Sequence, residues 1–251
     1  MTAAAPGRLP PAIEAVATAA AGGALAGASW SLIGLGWPAA AIGAANGAIS
    51  GARGTYGWRS LTGSLGFALD STWALPMTTA ALAAHAVAAC QGGRSGYISR
   101  LSARANRHVY SRGLRMRRGF AITVGNVVNG AGDVTSARRE RLVTDHEDVH
   151  IWQARWFGPL YPVLYVGWTV VGGAVGAGMW LLRRRGERFA DVVETCGYYL
   201  NPFEWWAYSR DDRWPPPRKV AALGWSRPIV RPLSEMGRRR PAPAGIPATP
   251  R

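Results

Sequence analysis

The stretch Val143-Thr144-Asp145-His146-Glu147-Asp148-Val149-His150-Ile151-Trp152-Gln153 carries the pattern H-E-x-x-H. Two histidines four apart on a helix lie on one face, so both imidazoles can bind a single metal ion. The glutamate between them sits beside the open coordination position, where it can take a proton from a metal-bound water. The chain has only four histidines, and two are in this motif. The expected metal is Zn2+, with His146 and His150 as ligands and Glu147 as the catalytic base. A catalytic zinc takes three protein ligands and leaves a fourth position for water.

No histidine follows His150, so the third ligand is sought among the downstream carboxylates Glu187, Asp191, Glu194, Glu204, Asp211 and Asp212. The segment Asn201-Pro202-Phe203-Glu204-Trp205-Trp206-Ala207-Tyr208 singles out Glu204. Asn201 can cap a helix and Pro202 suits its first turn, which places Glu204 at a fixed point among aromatic neighbours. Glu194 is the alternative ligand, and Cys196 is a third. Gln153 lies three residues after His150 on the same helix face, where it can hydrogen-bond a ligand or the substrate. Tyr208 or an arginine could stabilise an oxyanion. His108 is a spare polar candidate and is read as structural, and His85 is read as a polar group between packed helices.

These motifs resemble the HExxH zincins, and within them the gluzincin branch, in which a glutamate on a later helix is the third ligand. More narrowly, the chain is similar to a group of small bacterial proteins with an H-E-x-x-H-x-x-Q helix, a Gly-Pro-Leu turn and an Asn-Pro-Phe/Tyr-Glu-x-x-Ala-Tyr segment. The matching residues are His146, Glu147, His150 and Gln153, then Gly158-Pro159-Leu160, then Asn201-Pro202-Phe203-Glu204 with Ala207-Tyr208. The resemblance covers roughly residues 120 to 212 and leaves the first 90 unaddressed. The metzincin branch fits poorly, because it would need glycine at position 153 and histidine or aspartate at 156, where this chain has Gln153 and Trp156. The resemblance implies a zinc metallopeptidase.

The elements that must position these residues are read from charge and hydropathy. The formal charge is +15, and Lys219 is the only lysine, so arginine supplies almost all the basic charge. No nucleic-acid motif accompanies it, so specific nucleic-acid binding is not expected and an anionic membrane surface is the better partner. Two cysteines, Cys90 and Cys196, do not make a disulfide framework. Residues 15 to 52, 71 to 93 and 156 to 182 carry no charged side chain, and a bilayer crossing needs about 20 apolar residues. The first run reads as one span with an embedded segment, or as a tight helical hairpin. Its Gly43, Gly47 and Gly51 form a small-xxx-small face that lets helices approach closely and could pair two copies of the chain.

Residues 53 to 70 read as a polar connection. Phe120 to Val128 has the β-branched content of a strand, with His108-Val109-Tyr110 as an earlier one. Thr144 or Asp145 is expected to cap the metal helix, and Gly158 and Pro159 to end it. If His146, His150 and Glu204 share one ion, residues 156 to 182 must begin and end on the same side of any membrane. That makes the run a hairpin, a membrane-lying helix or a packed helix, with Gly172-Gly173 marking a bend. Flanking arginines favour the cytoplasmic face.

The expected fold is α+β and mainly helical. Residues 1–93 form a glycine- and alanine-rich membrane-embedded helical region. A zincin-like unit with a short sheet follows at 94–214, and 215–251 is a basic proline-rich tail. The expected function is a membrane-associated zinc metallopeptidase of the bacterial cell membrane, acting on a peptide or protein through attack of zinc-bound water. The alternatives are a non-catalytic zinc-stabilised membrane protein that mediates helix assembly, and a basic scaffold that binds lipid or nucleic acid.

Overall fold

A computed structural model of the chain describes residues 9–91, 96–114, 120–183 and 186–210. The tail from 215 and two of the candidate carboxylates, Asp211 and Asp212, lie outside these residues. The fold is α+β and mainly helical, with one small three-stranded sheet. Helices α1 (Pro11–Ser31) and α2 (Gly36–Ala52) form an antiparallel hairpin. Glycine makes the close approach possible: a Cβ added at Gly22 would fall 2.6 Å from the Gly43 carbonyl oxygen. The Thr18 hydroxyl donates to the Gly47 carbonyl across the same seam at 2.6 Å. The stretch read as a polar connection contains a helix, α3 (Leu61–Ser71), because Ser60 caps it by accepting from the Gly63 amide at 3.1 Å. Helix α4 (Leu75–Cys90) follows at 89° to α3, and a single turn, α5 (Ser99–Ser102), leads to the sheet.

The strands are β1 (His108–Val109), β2 (Ile122–Val124) and β3 (Val127–Asn129), in the order β1-β3-β2. The run 120–128 is therefore two strands. Gly125, at φ +56°, adopts the left-handed conformation that the turn between them requires. Strand alternation places the sheet between two helices. Val127 packs with Ala81, Ala84 and Ala88 of α4, while Val128 packs with Val143 and Ile151 of the metal helix.

That helix starts earlier than expected. It begins at α6 (Ala137–Arg141), passes through a π-helical turn (Leu142–Glu147) and continues as α7 (Asp148–Phe157). Thr144 and Asp145 lie inside it, because no glycine or proline interrupts the helix-forming run Ala137 to Leu142. The wider turn carries His146 and Glu147, and π-turns of this kind recur where a helix must present functional groups.

Gly158, at φ +51°, ends α7 as expected. Helix α8 (Leu160–Arg183) is unbroken at Gly172-Gly173. These glycines do not bend the helix. Gly172 and Gly176 instead receive the returning chain, a Cβ at Gly176 lying 3.0 Å from that of Cys196. The return runs through α9 (Phe189–Glu194) and a second π-turn (Thr195–Tyr199) to α10 (Pro202–Tyr208). The run 156–182 therefore leads away from the site and does not itself return, contrary to the expectation that it begins and ends on one side; residues 189–199 run back along α8 and bring the chain to the site again. Among the described residues two helices are long and apolar enough to cross a membrane, α1 and α8, the latter with a mean hydropathy of 1.4, and the bent pair α3–α4 would make a third if it is one broken span.

The N-terminal helices and the sheet are tied by a buried polar network. Asp70 of α3 receives the Arg155 guanidinium on both oxygens, at 2.9 and 2.8 Å. The Tyr56 hydroxyl donates to the same carboxylate at 2.8 Å, and the Asn126 amide approaches it at 3.3 Å. Arg155 also donates to the Asn106 carbonyl. Glu14 pairs with Arg104, and Ser50 with His108. His108 is fully buried here, between Ser50 and Tyr97 and away from the motif, and His85 bonds to Tyr110.

Candidate metal centre

The π-turn, α7 and α10 bring His146, His150 and Glu204 together, with one ligand atom of each within 4.8 Å of the others. All three are buried. Among the described residues this is the one such cluster. Asn201 builds the third corner as the sequence suggests: its side chain accepts from the Phe203 amide at 3.1 Å, Pro202 opens the helix, and Glu204 falls in the first turn.

The edges of the triangle test whether an ion fits. The two Nε2 atoms are 3.3 Å apart. Glu204 Oε1 lies 3.4 Å from His150 Nε2, and Oε2 lies 3.6 Å from His146 Nε2. A tetrahedron around an ion with ligands at about 2.0–2.1 Å has edges of about 3.3 Å, which the nitrogen pair matches, while Glu204 turns one oxygen toward each imidazole. Among the described residues no hydrogen-bond donor reaches Glu204 Oε2, although it is buried. A buried carboxylate oxygen left open beside two imidazole nitrogens is the environment a cation satisfies. Burial pushes the Glu204 carboxyl up, but the imidazoles of His150 and His146 and the Tyr165 hydroxyl outweigh it and hold the group down at about 2. The cluster can hold a metal ion.

The surrounding contacts set the ligand orientation. Gln153 is fully buried. Its amide nitrogen donates to the Phe203 carbonyl at 2.8 Å, so its oxygen faces His150 Nδ1, also at 2.8 Å. Nδ1 must then carry the proton and Nε2 presents its lone pair to the centre. The Tyr161 hydroxyl lies 3.2 Å from the same Nδ1, and the Tyr165 hydroxyl donates to Glu204 Oε1 at 2.6 Å. Replacing Gln153 by leucine is expected to weaken metal affinity about 10–100-fold by releasing this ring. Competition against a chromophoric chelator measures it, and unchanged affinity would show that Gln153 only fills space.

Glu147 is buried, and the Thr123 hydroxyl of β2 donates to its Oε2 at 2.7 Å. A cavity of about 670 Å³ reaches the cluster past Ile122, Thr123, Tyr161 and Tyr165, and Glu194 stands on its wall outside the triangle. A second cavity of about 220 Å³, with Arg138 and Arg139 on its wall, shares Phe120, Ala121, His146, Glu147 and Tyr198 with the first. The cluster therefore lies between two approaches. The Tyr208 ring stacks edge-on to His146 with centroids 4.5 Å apart and lines the smaller cavity. Cys196 is buried against α8, outside the cluster.

Sequence reading missed Thr123, Tyr161, Tyr165 and Tyr198. One signal was present for two of them: Tyr161 and Tyr165 are one turn apart at the start of an otherwise apolar helix, where a phenol hydroxyl needs a partner. No family model, no curated protein and no solved structure matches this chain.

Proposed function

We propose that the chain is a membrane-associated zinc-dependent metallopeptidase of the gluzincin kind. One observation carries the reading: the buried triad lies where two cavities meet, and Glu147, which the triad does not use as a ligand, stands on the wall of both. A metal held only for stability needs no such carboxylate and no access. Zinc in the triad would supply Lewis acidity toward a carbonyl oxygen and toward the attacking water.

The protein side of the reaction then follows. Glu147 takes a proton from the attacking water and delivers it to the leaving amine. Thr123 fixes one carboxylate oxygen while it does so. Gln153 and Tyr161 hold His150 in its tautomer, and Tyr165 holds Glu204. Tyr198 and Tyr208, on the cavity walls, are the candidates to donate to the developing oxyanion. Among the described strands β2 pairs on one side only, and an extended peptide can add to its open edge along the larger cavity.

The test uses the full chain in detergent with a mixed peptide library. Chelation is expected to abolish cleavage, and one equivalent of zinc to restore it. Cleavage that survives chelation contradicts the reading. A metal whose removal lowers the melting temperature, in a protein that cleaves nothing, favours the structural alternative.

A further inference from the structure

Three turns of the chain meet at one end of the molecule: 32–35 between α1 and α2, 72–74 between α3 and α4, and 158–159 between α7 and α8. Trp30 Nε1 donates to the Thr72 carbonyl at 2.9 Å, and Trp73 Nε1 donates to the Trp156 carbonyl at 3.0 Å. This end exposes large apolar side chains. Leu32 is 88% exposed and Trp37 90%, with Ile33, Trp73, Trp156 and Leu160 beside them. The ionisable side chains nearest in sequence, Asp70 and Arg155, are buried and paired with each other. Residues 15–52, 71–93 and 156–182 bring no Asp, Glu, Lys or Arg.

We propose that this end embeds in one leaflet of a lipid bilayer, deepening the membrane part of the reading above. Three arguments select lipid over a second copy of the chain. The first is charge: this end exposes no Asp, Glu, Lys or Arg side chain, and the nearest two, Asp70 and Arg155, neutralise each other in the interior, as entry into hydrocarbon requires. The second is the backbone. A loop enters lipid only with its amides satisfied. The Ile33, Gly34 and Leu35 amides all bond back to Trp30 or Ser31. Gly34, at φ +78°, takes the left-handed conformation that this reversal needs. Pro38, Pro76 and Pro159 each remove a donor where a helix start would leave one open. The third is the set of exposed tryptophans, the residue favoured at the border of hydrocarbon and water.

The hairpin tip carries no charge that would hold it on a far side, while its base is held by the Glu14–Arg104 pair and the Arg53 bond to Tyr110. Entry and exit are thus on one face. The apolar part of the larger cavity, at Met77 and Pro162, begins within a turn or so of this end, so the metal centre opens near the leaflet surface.

Nitroxide labels at Leu32→Cys, Trp37→Cys and Arg59→Cys, in a Cys90→Ser, Cys196→Ala chain reconstituted in phosphatidylcholine–phosphatidylglycerol vesicles, test the proposal. An unchanged circular-dichroism spectrum and melting temperature certify the fold of each variant, whether or not the chain holds zinc. Collision with oxygen and with a water-soluble nickel chelate should place positions 32 and 37 about 5–10 Å below the phosphates, with position 59 in water. Chelate access at 32 and 37 equal to that at 59 would overturn the insertion. Shielding of 32 and 37 from both reagents would overturn it too, by assigning the face to a second copy.

Discussion

Glu147→Gln is expected to keep the metal and to lose hydrolysis by a factor of about 10²–10⁴, the usual contribution of a positioned general base. The amide has the same shape, and its oxygen can still accept the Thr123 hydroxyl that bonds to Oε2 at 2.7 Å in the native chain. None of the three ligand side chains is altered. The amide cannot accept a proton from water, so the chemical step fails while the centre stays assembled. The measurement is kcat/KM on a cleaved peptide beside metal content. Activity retained at the native level would remove Glu147 from the mechanism, and loss of the metal would make it a structural residue.

Arg155→Met is expected to destabilise the fold by about 3–5 kcal/mol, because it strands the Asp70 carboxylate in the interior. Asp70 and Arg155 are 3% and 1% exposed, so solvent screens neither. Their two-pronged contact is the joint through which α3, Tyr56 and Asn126 grip the metal helix. The double variant Asp70→Leu with Arg155→Met removes both charges and is expected to recover part of the loss, since a buried pair often breaks even against apolar replacements. Thermal unfolding followed by circular dichroism reads both, with a shift of roughly 2–4 °C per kcal/mol for a chain of this size. A single variant that melts with the native protein would show that the network does not hold the helix.

The two experiments separate chemistry from scaffold, and the sequence bears on them unequally. The His146–His150–Glu204 cluster was legible because its rules are local. Four-residue spacing puts His146 and His150 on one face, three-residue spacing puts Gln153 beside His150, and the Asn201-Pro202 cap places Glu204 in a first helical turn. The Asp70–Arg155 pair was not legible, because 85 residues separate its members and nothing in local periodicity joins them. The same holds for Thr123, whose contact with Glu147 depends on how the sheet sits against α7.

The expected bend at Gly172-Gly173 shows a different limit. Glycine marks either a turn or a close approach, and only the partner decides which. Here the partner is the returning segment around Cys196, and α8 runs unbroken past both glycines to Arg183. Thr144 and Asp145 failed as caps because a better-formed helix ran on through them from Ala137.

The most direct test of the central claim is elemental analysis of the purified full chain beside His146→Ala and Glu204→Ala. One zinc per native chain, lost in both variants while each remains folded, is the expected result. A native chain without stoichiometric metal, or a variant that keeps it, would contradict the assignment of His146, His150 and Glu204 to a single centre.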